Sequence, residues 1–378
     1  MKDNEKKYSI VLTGGGTAGH VWPHFALFEG EKSPLNTAFR ENKLNVHYIG
    51  SQSGMEKDLV LMNQPSWQYH SISTGKLRRY FSLQNFLDIF KIIFGFVQAF
   101  FILNKIKASA VFSKGGFVSA PVVWAAWLRG IPIIIHESDA TPALATKLTL
   151  PFSFLALVAF EETIQKLPSI FHNKINYVGL PLRESLFNAT KDQANQFFNF
   201  KQNKKTILIF GGSLGAQSLN KKMFEIIPEL NKNFNIIHIV GKGNYKEIEN
   251  AENYRQYEFL NHEMKYAYAL ANLAICRAGA SSIFELAAAR IPMILVPLGL
   301  HASRGDQIVN ARIFTNRGWS QSIDENTFQK ESAIQLIEST MNSLEERKLA
   351  LESAPSAESA LKVSQKIWDI ILRYEAKK

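Results

Sequence analysis

The fold is decided by residues 9–19, SIVLTGGGTAG, in which a β-branched apolar run ends in a cluster of glycines. Residues 206–216, TILIFGGSLGA, repeat that arrangement in the second half of the chain. A buried strand that turns through glycines into a helix is the opening unit of a doubly wound α/β domain. The repeat therefore predicts two such domains rather than one very large sheet.

Further short apolar runs follow each glycine loop and alternate with amphipathic stretches such as 56–61 and 219–230. Alternating β and α elements imply parallel sheets with right-handed crossovers. We expect strands at 9–13, 46–50, 110–113, 131–136 and 175–178, and again at 206–210, 235–240, 257–260, 273–276 and 292–296. The polar stretch 188–205 is expected to be the boundary or a linker helix, and 357–374 has the pattern of a final helix.

Composition narrows the class of protein. The 378 residues are 46% hydrophobic and carry 43 Lys+Arg against 33 Asp+Glu, a net charge of +10. Such a chain can bury a core in two or three domains, and its basic excess suits a nucleic acid, an anionic lipid surface or a phosphorylated substrate. The basic residues are scattered and no known nucleic-acid-binding module is present, so we expect no nucleic acid partner.

The sequence also limits the compartment and the chemistry. Its single cysteine, Cys276, excludes an internal disulfide framework and a Cys-based zinc cluster. No secretory signal opens the chain, and no charge-free apolar stretch reaches the roughly 18–20 residues of a membrane span. No H-E-x-x-H, Walker lysine or G-x-S-x-G is present, so we expect no metal and a soluble or peripheral protein.

The first glycine loop, residues 14–19, matches G-x-G-x-x-G and leaves three interpretations open. It is a phosphate- or sugar-facing loop, a plain tight turn, or a dinucleotide site, which would need an acid closing the second strand, where the chain has Ser51-Gln52. His20 follows this loop directly. It is either a solvated polar residue or a general base kept neutral at a helix start.

Two serines in the second half have structural and functional interpretations. Ser213 either caps the helix that follows it or hydrogen-bonds a phosphate. Ser282 and Glu285 have the S-x-x-E spacing of a capping box, but a carboxylate in a first helical turn could equally hold a ribose diol.

Residues 85–105 predict a helix whose polar positions form one narrow stripe, so its apolar arc is wider than a single core requires. Basic and aromatic residues alternate just before it: Lys76, Arg78, Arg79, Tyr80 and Phe81. This combination favours an anionic bilayer surface, with a deeply buried helix beside a solvated basic loop as the alternative.

Taken together, these stretches resemble the MurG family of glycosyltransferases. The matching segments occur in the family's order: GGTAGHVWP at 15–23, GGFVSAP at 115–121, HESD at 136–139, VGLPLR at 178–183, GGSLGA at 211–216, CRAGA at 276–280 through Glu285, and Asp306-Gln307 before Asn310-Ala311. Asp139 departs from the family's usual asparagine. The resemblance implies the GT-B architecture, with two Rossmann-like α/β domains of doubly wound parallel sheet and the active site in the cleft between them.

The resemblance also implies a domain plan and a set of site residues. Residues 1–184 would form the N-terminal domain on the acceptor and membrane side, 185–356 the donor domain, and 357–378 a helix that packs back on the N-terminal domain. The catalytic residue would be His20. The implied donor-binding residues are Thr17, Ala18, Gly19, Asp139, Arg183, Ser213, Leu260, Ala280, Ser281, Ser282, Ile283, Phe284, Glu285 and Gln307.

The implied activity is inverting transfer of N-acetylglucosamine from UDP-N-acetylglucosamine to the 4-hydroxyl of the muramyl sugar of lipid I. The product is lipid II for cell-wall synthesis, and no cofactor is expected. Expected partners are the two substrates, an anionic membrane surface at the cytoplasmic face of the inner membrane, and other cell-wall synthesis proteins. The alternatives are a UDP-N-acetylglucosamine 2-epimerase, a transferase with another acceptor, a dinucleotide oxidoreductase and a silent sugar-nucleotide binder.

Overall fold

The computed structural model describes residues 7–75, 83–200, 204–212, 216–248, 252–299 and 305–378. The chain divides into two compact units, which we call unit 1 (residues 1–183 and 358–378) and unit 2 (residues 184–357). Among the described residues, unit 1 contains a seven-stranded sheet and unit 2 a six-stranded sheet. All the strand pairs are parallel. The prediction of two parallel α/β domains is therefore confirmed.

The strands are β1 Tyr8–Thr13, β2 Leu44–Ser51, β3 Gln68–Ile72, β4 Ala110–Ser113, β5 Ile133–Glu137, β6 Leu155–Val158, β7 Ile175–Tyr177, β8 Thr206–Phe210, β9 Asn235–Ile239, β10 Tyr254–Tyr257, β11 Ala271–Cys276, β12 Met293–Leu295 and β13 Gln321–Ser322. The helices are α1 Trp22–Ala26, α2 Pro34–Arg40, α3 Met55–Asn63, α4 Leu83–Ile106, α5 Ser119–Leu128, α6 Leu144–Thr149, α7 Glu162–Gln165, α8 Lys191–Phe198, α9 Gln217–Asn233, α10 Met264–Leu270, α11 Ala280–Ala288, α12 Asp306–Asn316, α13 Lys330–Asn342, α14 Leu344–Leu351 and α15 Ser359–Glu375. Short 3-10 turns include Ala18–His20 and Glu325–Thr327.

The sheet of unit 1 has the order β3-β2-β1-β4-β5-β6-β7, so the direction of winding reverses between β1 and β4. Open parallel sheets bind ligands at such a reversal, beyond the carboxyl ends of the strands. The first glycine loop leaves β1 at this point, and a second glycine loop, Ser113–Phe117, leaves β4 beside it. In unit 2 the order β10-β9-β8-β11-β12-β13 puts the same reversal between β8 and β11.

Each sheet is buried on both faces, which explains its nearly continuous apolar strands. In unit 1, alternate residues of β1 face opposite cores. Ile10 and Leu12 join a cluster that contains Ile367 of α15, whereas Val11 joins a cluster that contains Ala99 and Leu103 of α4. In unit 2, a core cluster joins β8 and β11 to α9 and α13.

Several sequence-based boundaries need correction. The strand expected at 257–260 lies at Tyr254–Tyr257, and β3, β6 and β13 were not predicted. The stretch 188–205, expected to be the boundary or a linker helix, does contain a helix, α8, which begins with a capping box between Thr190 and Gln193. Phe198 at its end is buried within unit 2, where it packs edge-on against Tyr257.

The final helix contributes directly to the core of unit 1. Ile367 is fully buried, and the hydroxyl of Ser364 lies 2.8 Å from that of Ser33 at the start of α2. We expect Ile367→Ala to lower the free energy of unfolding of unit 1 by about 2–5 kcal/mol, because the truncation leaves a cavity. Equilibrium denaturant unfolding would measure this, with Lys362→Ala on the exposed side of the same helix as the control. Equal effects of the two substitutions would contradict this packing.

Candidate functional site

The two glycine loops of unit 1 touch each other backbone to backbone. Gly116 has φ +83°, and a Cβ atom there would collide with the carbonyl group of Gly15. Gly16 has φ +91° and faces the ring of Phe117, which would lie 3.0 Å from an added Cβ. Only glycine adopts such angles without strain and leaves room for this approach. The glycines therefore bring the ends of β1 and β4 into direct contact.

The first glycine loop is held in place by a buried acid. The carboxylate of Glu56 accepts hydrogen bonds from the Ser51 amide at 3.0 Å and the Gly16 amide at 3.4 Å. The Tyr48 hydroxyl donates to the Gly14 carbonyl at 2.7 Å. A carboxylate directly beneath this loop opposes a pyrophosphate, and no acid closes β2, so the geometry argues against the dinucleotide interpretation.

The predicted residues of the first half gather at this edge of unit 1. Thr17 is exposed, and Ala18, Gly19 and His20 form a half-buried 3-10 turn in which the His20 amide donates to the Thr17 carbonyl at 3.1 Å. Sequence reasoning gave no role to Trp22, two residues further on.

The guanidinium carbon of Arg183 lies 3.9 Å from the centroid of the Trp22 ring. Within the described part of the chain no carboxylate pairs with Arg183, and its Nε is buried without a hydrogen-bond partner. Stacking on Trp22 therefore fixes a cation beside the first glycine loop and leaves its charge available to an anionic ligand.

A buried hydrogen-bond relay lies beneath the second glycine loop. The Lys114 Nζ is 2.6 Å from His136 Nδ1 and 2.8 Å from the Ser138 hydroxyl, and His136 Nε2 is 2.9 Å from the Gly179 carbonyl. A carbonyl oxygen only accepts, so Nε2 carries the ring proton and Nδ1 accepts from Lys114. The relay thus ties together the ends of β4, β5 and β7.

Burial sets the charge state of this relay. Desolvation lowers the pKa of Lys114 to about 7, against the attraction of Glu137 and Asp139, which raises it. Desolvation, and then the charge of Lys114, holds the pKa of His136 well below its ordinary value. The same two causes lower the pKa of His24, which is fully buried one helical turn after His20. Sequence reasoning missed Lys114 and His24; the available signal was a lysine directly after the apolar strand AVFS.

Glu137 has a structural role that its position in the HESD motif does not disclose. Its carboxylate accepts hydrogen bonds from the amides of Ser138 at 2.8 Å, Asp139 at 3.0 Å and Ala143 at 2.8 Å, and from the Thr146 hydroxyl at 2.5 Å. These bonds shape the turn between β5 and α6. Asp139 therefore has a fixed backbone and a half-buried side chain.

In unit 2, the second candidate edge is the start of α11. The helix begins at Ala280 after Gly279, and no side chain caps it. Ser282 is thus the third helical residue rather than the N-cap, and the capping-box interpretation of Ser282 and Glu285 is wrong. Uncapped first-turn amides with the helix dipole behind them favour a bound anion.

The predicted donor residues of α11 do not all reach the surface. Ser281 and Ser282 are half-buried, but the side chains of Ile283 and Phe284 are buried in the core. Those two side chains therefore cannot contact a donor, because they lie on the apolar face of the helix, which packs into the core.

The remaining candidates of unit 2 lie on neighbouring loops and helices. Glu285 Oε2 accepts from the Tyr268 hydroxyl at 2.6 Å, and Gln307 Oε1 accepts from the Leu298 amide at 3.0 Å. Leu260 lies half-buried on the loop between β10 and α10. Ser213 lies outside the described residues. Tyr268 is a further residue that sequence reasoning missed.

Buried Arg277 braces this edge of unit 2. Its guanidinium donates to Glu325 Oε1 at 2.6 Å, the Ser218 hydroxyl at 2.7 Å and the Val296 carbonyl at 3.0 Å. Burial raises the pKa of Glu325, but the hydrogen bonds from Arg277 and Ser218 outweigh it, and the pKa lies below its usual value. The arginine therefore joins the end of β11 to the start of α9 and the end of β12.

The surface of unit 1 carries an exposed apolar helix face. Its members are Ile89, Phe90, Ile93, Phe94, Val97 and Phe101, which we call the α4 apolar face. The opposite side of α4 is inward and partly polar: the Gln98 side chain accepts from the Ser73 amide at 2.6 Å, and Asp88 is buried. The buried-helix alternative is therefore wrong.

The segment Asp88–Ile106 is long and apolar enough to cross a membrane by length and composition, and only 17% of it is buried. The expectation that no segment reaches that length needs correction, since it counted only charge-free stretches. Lys76, Arg78, Arg79, Tyr80 and Phe81 lie outside the described residues. Among the residues that are described, no group of three or more metal-ligating side chains comes together.

The buried lysine predicts a pH-dependent stability. Its pKa is about 7 in the folded unit against an ordinary 10.5, so between these values the unfolded chain binds more protons. We therefore expect the wild-type free energy of unfolding to rise with pH in this window, by at most about 1.4 kcal/mol per pH unit from this group.

Lys114→Met should remove this part of the slope. Denaturant unfolding of both proteins between pH 7 and 10 would measure the difference, with Lys147→Met, at an exposed position of α6, as the control. Parallel pH profiles of wild type and Lys114→Met would contradict the assignment.

Comparison with known proteins identifies the family. The glycosyltransferase family 28 N-terminal domain matches residues 10–153, and its C-terminal domain matches residues 206–367. The chain is 44% identical over 333 residues to the UDP-N-acetylglucosamine–N-acetylmuramyl-(pentapeptide) pyrophosphoryl-undecaprenol N-acetylglucosamine transferase of Clostridium perfringens, covering 88% of this chain and 90% of that protein. It is also 39% identical to a Bacillus cereus protein that has the same name with the number 2 added, covering 95% of this chain and 98% of that protein.

The fold agrees with this relationship. The crystal structure of MurG from Acinetobacter baumannii superposes with a TM-score of 0.73 at 24% identity, covering 96% of this chain and 99% of that one. The GT-B class expected from the sequence is therefore confirmed. With both family 28 domains matched in order and relatives this similar over nearly their full length, the chain belongs to glycosyltransferase family 28 and, within it, to the MurG family.

Proposed function

We propose that this enzyme transfers N-acetylglucosamine from UDP-N-acetylglucosamine to the 4-hydroxyl of the muramyl sugar of lipid I, with inversion, and so produces lipid II for peptidoglycan synthesis. The observation that carries this proposal is the 44% identity to a transferase of that name over nearly the whole of both chains. The two candidate edges agree with it in chemistry, since one offers anion-binding amides with a carboxylate and the other a histidine beside an unpaired arginine.

The donor is assigned mainly to unit 2. The first-turn amides at Ala280, Ser281 and Ser282 face the diphosphate, and the dipole of α11 stabilises the charge that gathers there as the sugar leaves. Glu285, oriented by the Tyr268 hydroxyl, accepts hydrogen bonds from the ribose hydroxyls. Three further contacts are assigned from the sequence. The Ser213 hydroxyl binds the phosphates, a backbone group of Leu260 binds the base, and the side-chain amide of Gln307 binds the sugar.

The acceptor and the proton transfer are assigned to unit 1. His20 is the base that removes the acceptor's hydroxyl proton as the bond between the sugar C1 and the diphosphate oxygen breaks. Thr17, Ala18 and Gly19 contribute contacts to the donor from this unit, and Arg183, held over Trp22, meets the donor's negative charge. Asp139 lies on the turn fixed by Glu137 and completes the donor contacts of this unit.

A transfer assay with UDP-N-acetylglucosamine and a short-chain lipid I analogue, read by mass spectrometry, tests the proposal. We expect a product one N-acetylhexosamine heavier, formed equally well in EDTA. A 2-epimerase would instead convert the donor with no acceptor present, and a silent binder would bind donor and transfer nothing.

Two substitutions should separate the roles of the candidate residues. His20→Ala should lower kcat by about 10²–10⁴-fold, the usual contribution of a positioned base. Glu285→Gln should raise the donor KM by about 10-fold or more, since it weakens charge-assisted hydrogen bonds, and should leave kcat largely unchanged. Steady-state kinetics would measure both, with exposed Glu229→Gln as the control. Near wild-type turnover in His20→Ala would remove it as the base.

We further propose that the enzyme is peripheral and docks on the cytoplasmic leaflet through the α4 apolar face. The relatives are named for an undecaprenol-linked acceptor, and such a substrate stays at a membrane. The rim of this face carries cations: Arg129 stacks over Phe100 at 5.0 Å, and Lys105 lies exposed on α4. Exposed aromatics bordered by cations suit an anionic interface.

Liposome co-sedimentation tests the docking surface. Phe94→Ser with Phe101→Ser should reduce binding to anionic vesicles by about 10-fold or more, because two exposed aromatic side chains that enter the bilayer on docking are lost. The control is Met62→Ser, which removes an apolar side chain that is 80% exposed on α3. Equal binding to anionic vesicles by the wild type and the double variant would contradict the proposed docking surface.

A further inference from the structure

A polar pocket of about 410 Å³ opens at the carboxyl ends of β2 and β3 in unit 1. Its lining comes from the loop after β2, the segment after β3, one side of α4 and the second glycine loop: Ser51, Gln52, Ser53, Gly54, Ile72, Ser73, Thr74, Asp88, Lys91 and Phe117. We call it the β2–β3 pocket. Its volume falls within the roughly 300–1,000 Å³ of ordinary ligand sites. None of the residues assigned to the donor or to the base lines it.

The lining offers hydrogen-bonding groups that the protein leaves unused. Among the described residues, the side chains of Gln52, Ser53 and Thr74 have no hydrogen-bond partner, whereas the neighbouring Ser51 hydroxyl is taken by Glu56. Amide and hydroxyl groups of this kind both donate and accept, so they match the backbone amides of a peptide.

The charged residues at the rim of the β2–β3 pocket further limit the class of ligand that it can bind. The Lys91 ammonium lies 3.4 Å from the Asp88 carboxylate, and its side chain is 55% exposed while that of Asp88 is 10% exposed. Lys91, the exposed partner of this ion pair, is therefore a cation that can bind a carboxylate of a ligand. A nucleotide diphosphate would meet the buried carboxylate of Asp88 here, with Lys91 as the one cation in the described lining, so the pocket is poorly suited to it.

The position of the pocket connects the two parts of the acceptor's path. Phe117, one wall of the pocket, packs against Gly16 of the first glycine loop, four residues before His20. Asp88 and Lys91, on another side, belong to the helix that presents Ile89 and Phe90 at the α4 apolar face. The pocket therefore borders both the loop that precedes the candidate base and the helix that carries the α4 apolar face.

We infer that the β2–β3 pocket binds the peptide of the lipid-linked acceptor, with Gln52, Ser53 and Thr74 on its amides and Lys91 on a carboxylate. This inference rests on the proposed function. It explains why a polar pocket stands beside an apolar helix face: the acceptor carries a polar peptide and an apolar chain on one molecule. It also makes the pocket a determinant of acceptor choice rather than of donor choice.

Two acceptor analogues on the same short lipid test the inference, one carrying the full pentapeptide and one carrying only the lactoyl group capped as an amide. Wild type should show a higher kcat/KM for the pentapeptide form by about 10-fold or more. Thr74→Val, Ser53→Ala and Gln52→Ala should each lower kcat/KM for that form by about 3–10-fold, the value of one neutral hydrogen bond, and leave the truncated acceptor and the donor KM unchanged. Lys91→Met should have the largest effect, since its contact is charge-assisted.

The matched control is Gln68→Ala, a polar truncation at the exposed opposite end of β3. An unchanged preference for the pentapeptide in all four variants, or a wild type that uses both acceptors equally, would overturn the inference while the proposed function stood. A wild type that transfers to neither acceptor, in a protein that binds donor, would overturn the proposed function and this inference with it.

Discussion

The contact between Gly116 and the Gly15 carbonyl is the constraint on which the rest of unit 1 depends. Two parallel strands that flank a winding reversal leave a crevice between their carboxyl ends, and the loops that leave them normally diverge. Here the missing side chains let both loops close over the crevice in contact. Every candidate group of unit 1 is then defined relative to one rigid surface, with His20 on the first loop and Phe117 on the second.

Such a surface needs support from below, and the chain supplies it with buried polar groups. The Glu56 carboxylate accepts a hydrogen bond from the Gly16 amide, and the Glu137 carboxylate accepts bonds from three amides and a hydroxyl. Lys114 connects three strand ends through its hydrogen bond to His136. Buried polar groups are costly unless they are paired, so a network with this many partners strongly favours one arrangement. The consequence for function is that Glu56 and Glu137 are occupied within the protein and are poor candidates for acid–base chemistry.

The sequence predicted the parts of the fold that have a strong local signal. The strands at 110–113 and 206–210 lie where the apolar runs placed them, because central parallel strands are buried on both faces. The edge strands β3 and β13 escaped notice, since Gln68–Ile72 has one buried residue and Gln321–Ser322 has none. Their pairing is decided by neighbours distant in sequence, a signal that a local pattern does not contain.

The candidate site divides along the same line. The family resemblance names His20, Arg183 and Glu285 as candidates, and these assignments stay predictions. The partners that orient them were not readable: Trp22 beneath Arg183 and Tyr268 on Glu285 depend on contacts across the fold. The S-x-x-E spacing was misleading because the N-cap of α11 is Gly279, three residues before Ser282, so Ser282 lies inside the helix and cannot cap it.

The exposed apolar face of α4 gives the strongest physical link between fold and function. A helix on a water-soluble surface buries its apolar stripe and turns polar residues outward; α4 buries Ala99 and Leu103 in the core, yet it also presents aromatic residues outward. Exposing that much apolar surface is unfavourable in water, so the arrangement is stable only because other contacts of unit 1 offset it or because a nonaqueous surface covers it. Two polar residues of the same helix, buried Asp88 and exposed Lys91, line the β2–β3 pocket. One helix thus contributes both to an apolar docking face and to a polar pocket next to it, the two environments that a lipid-linked acceptor requires.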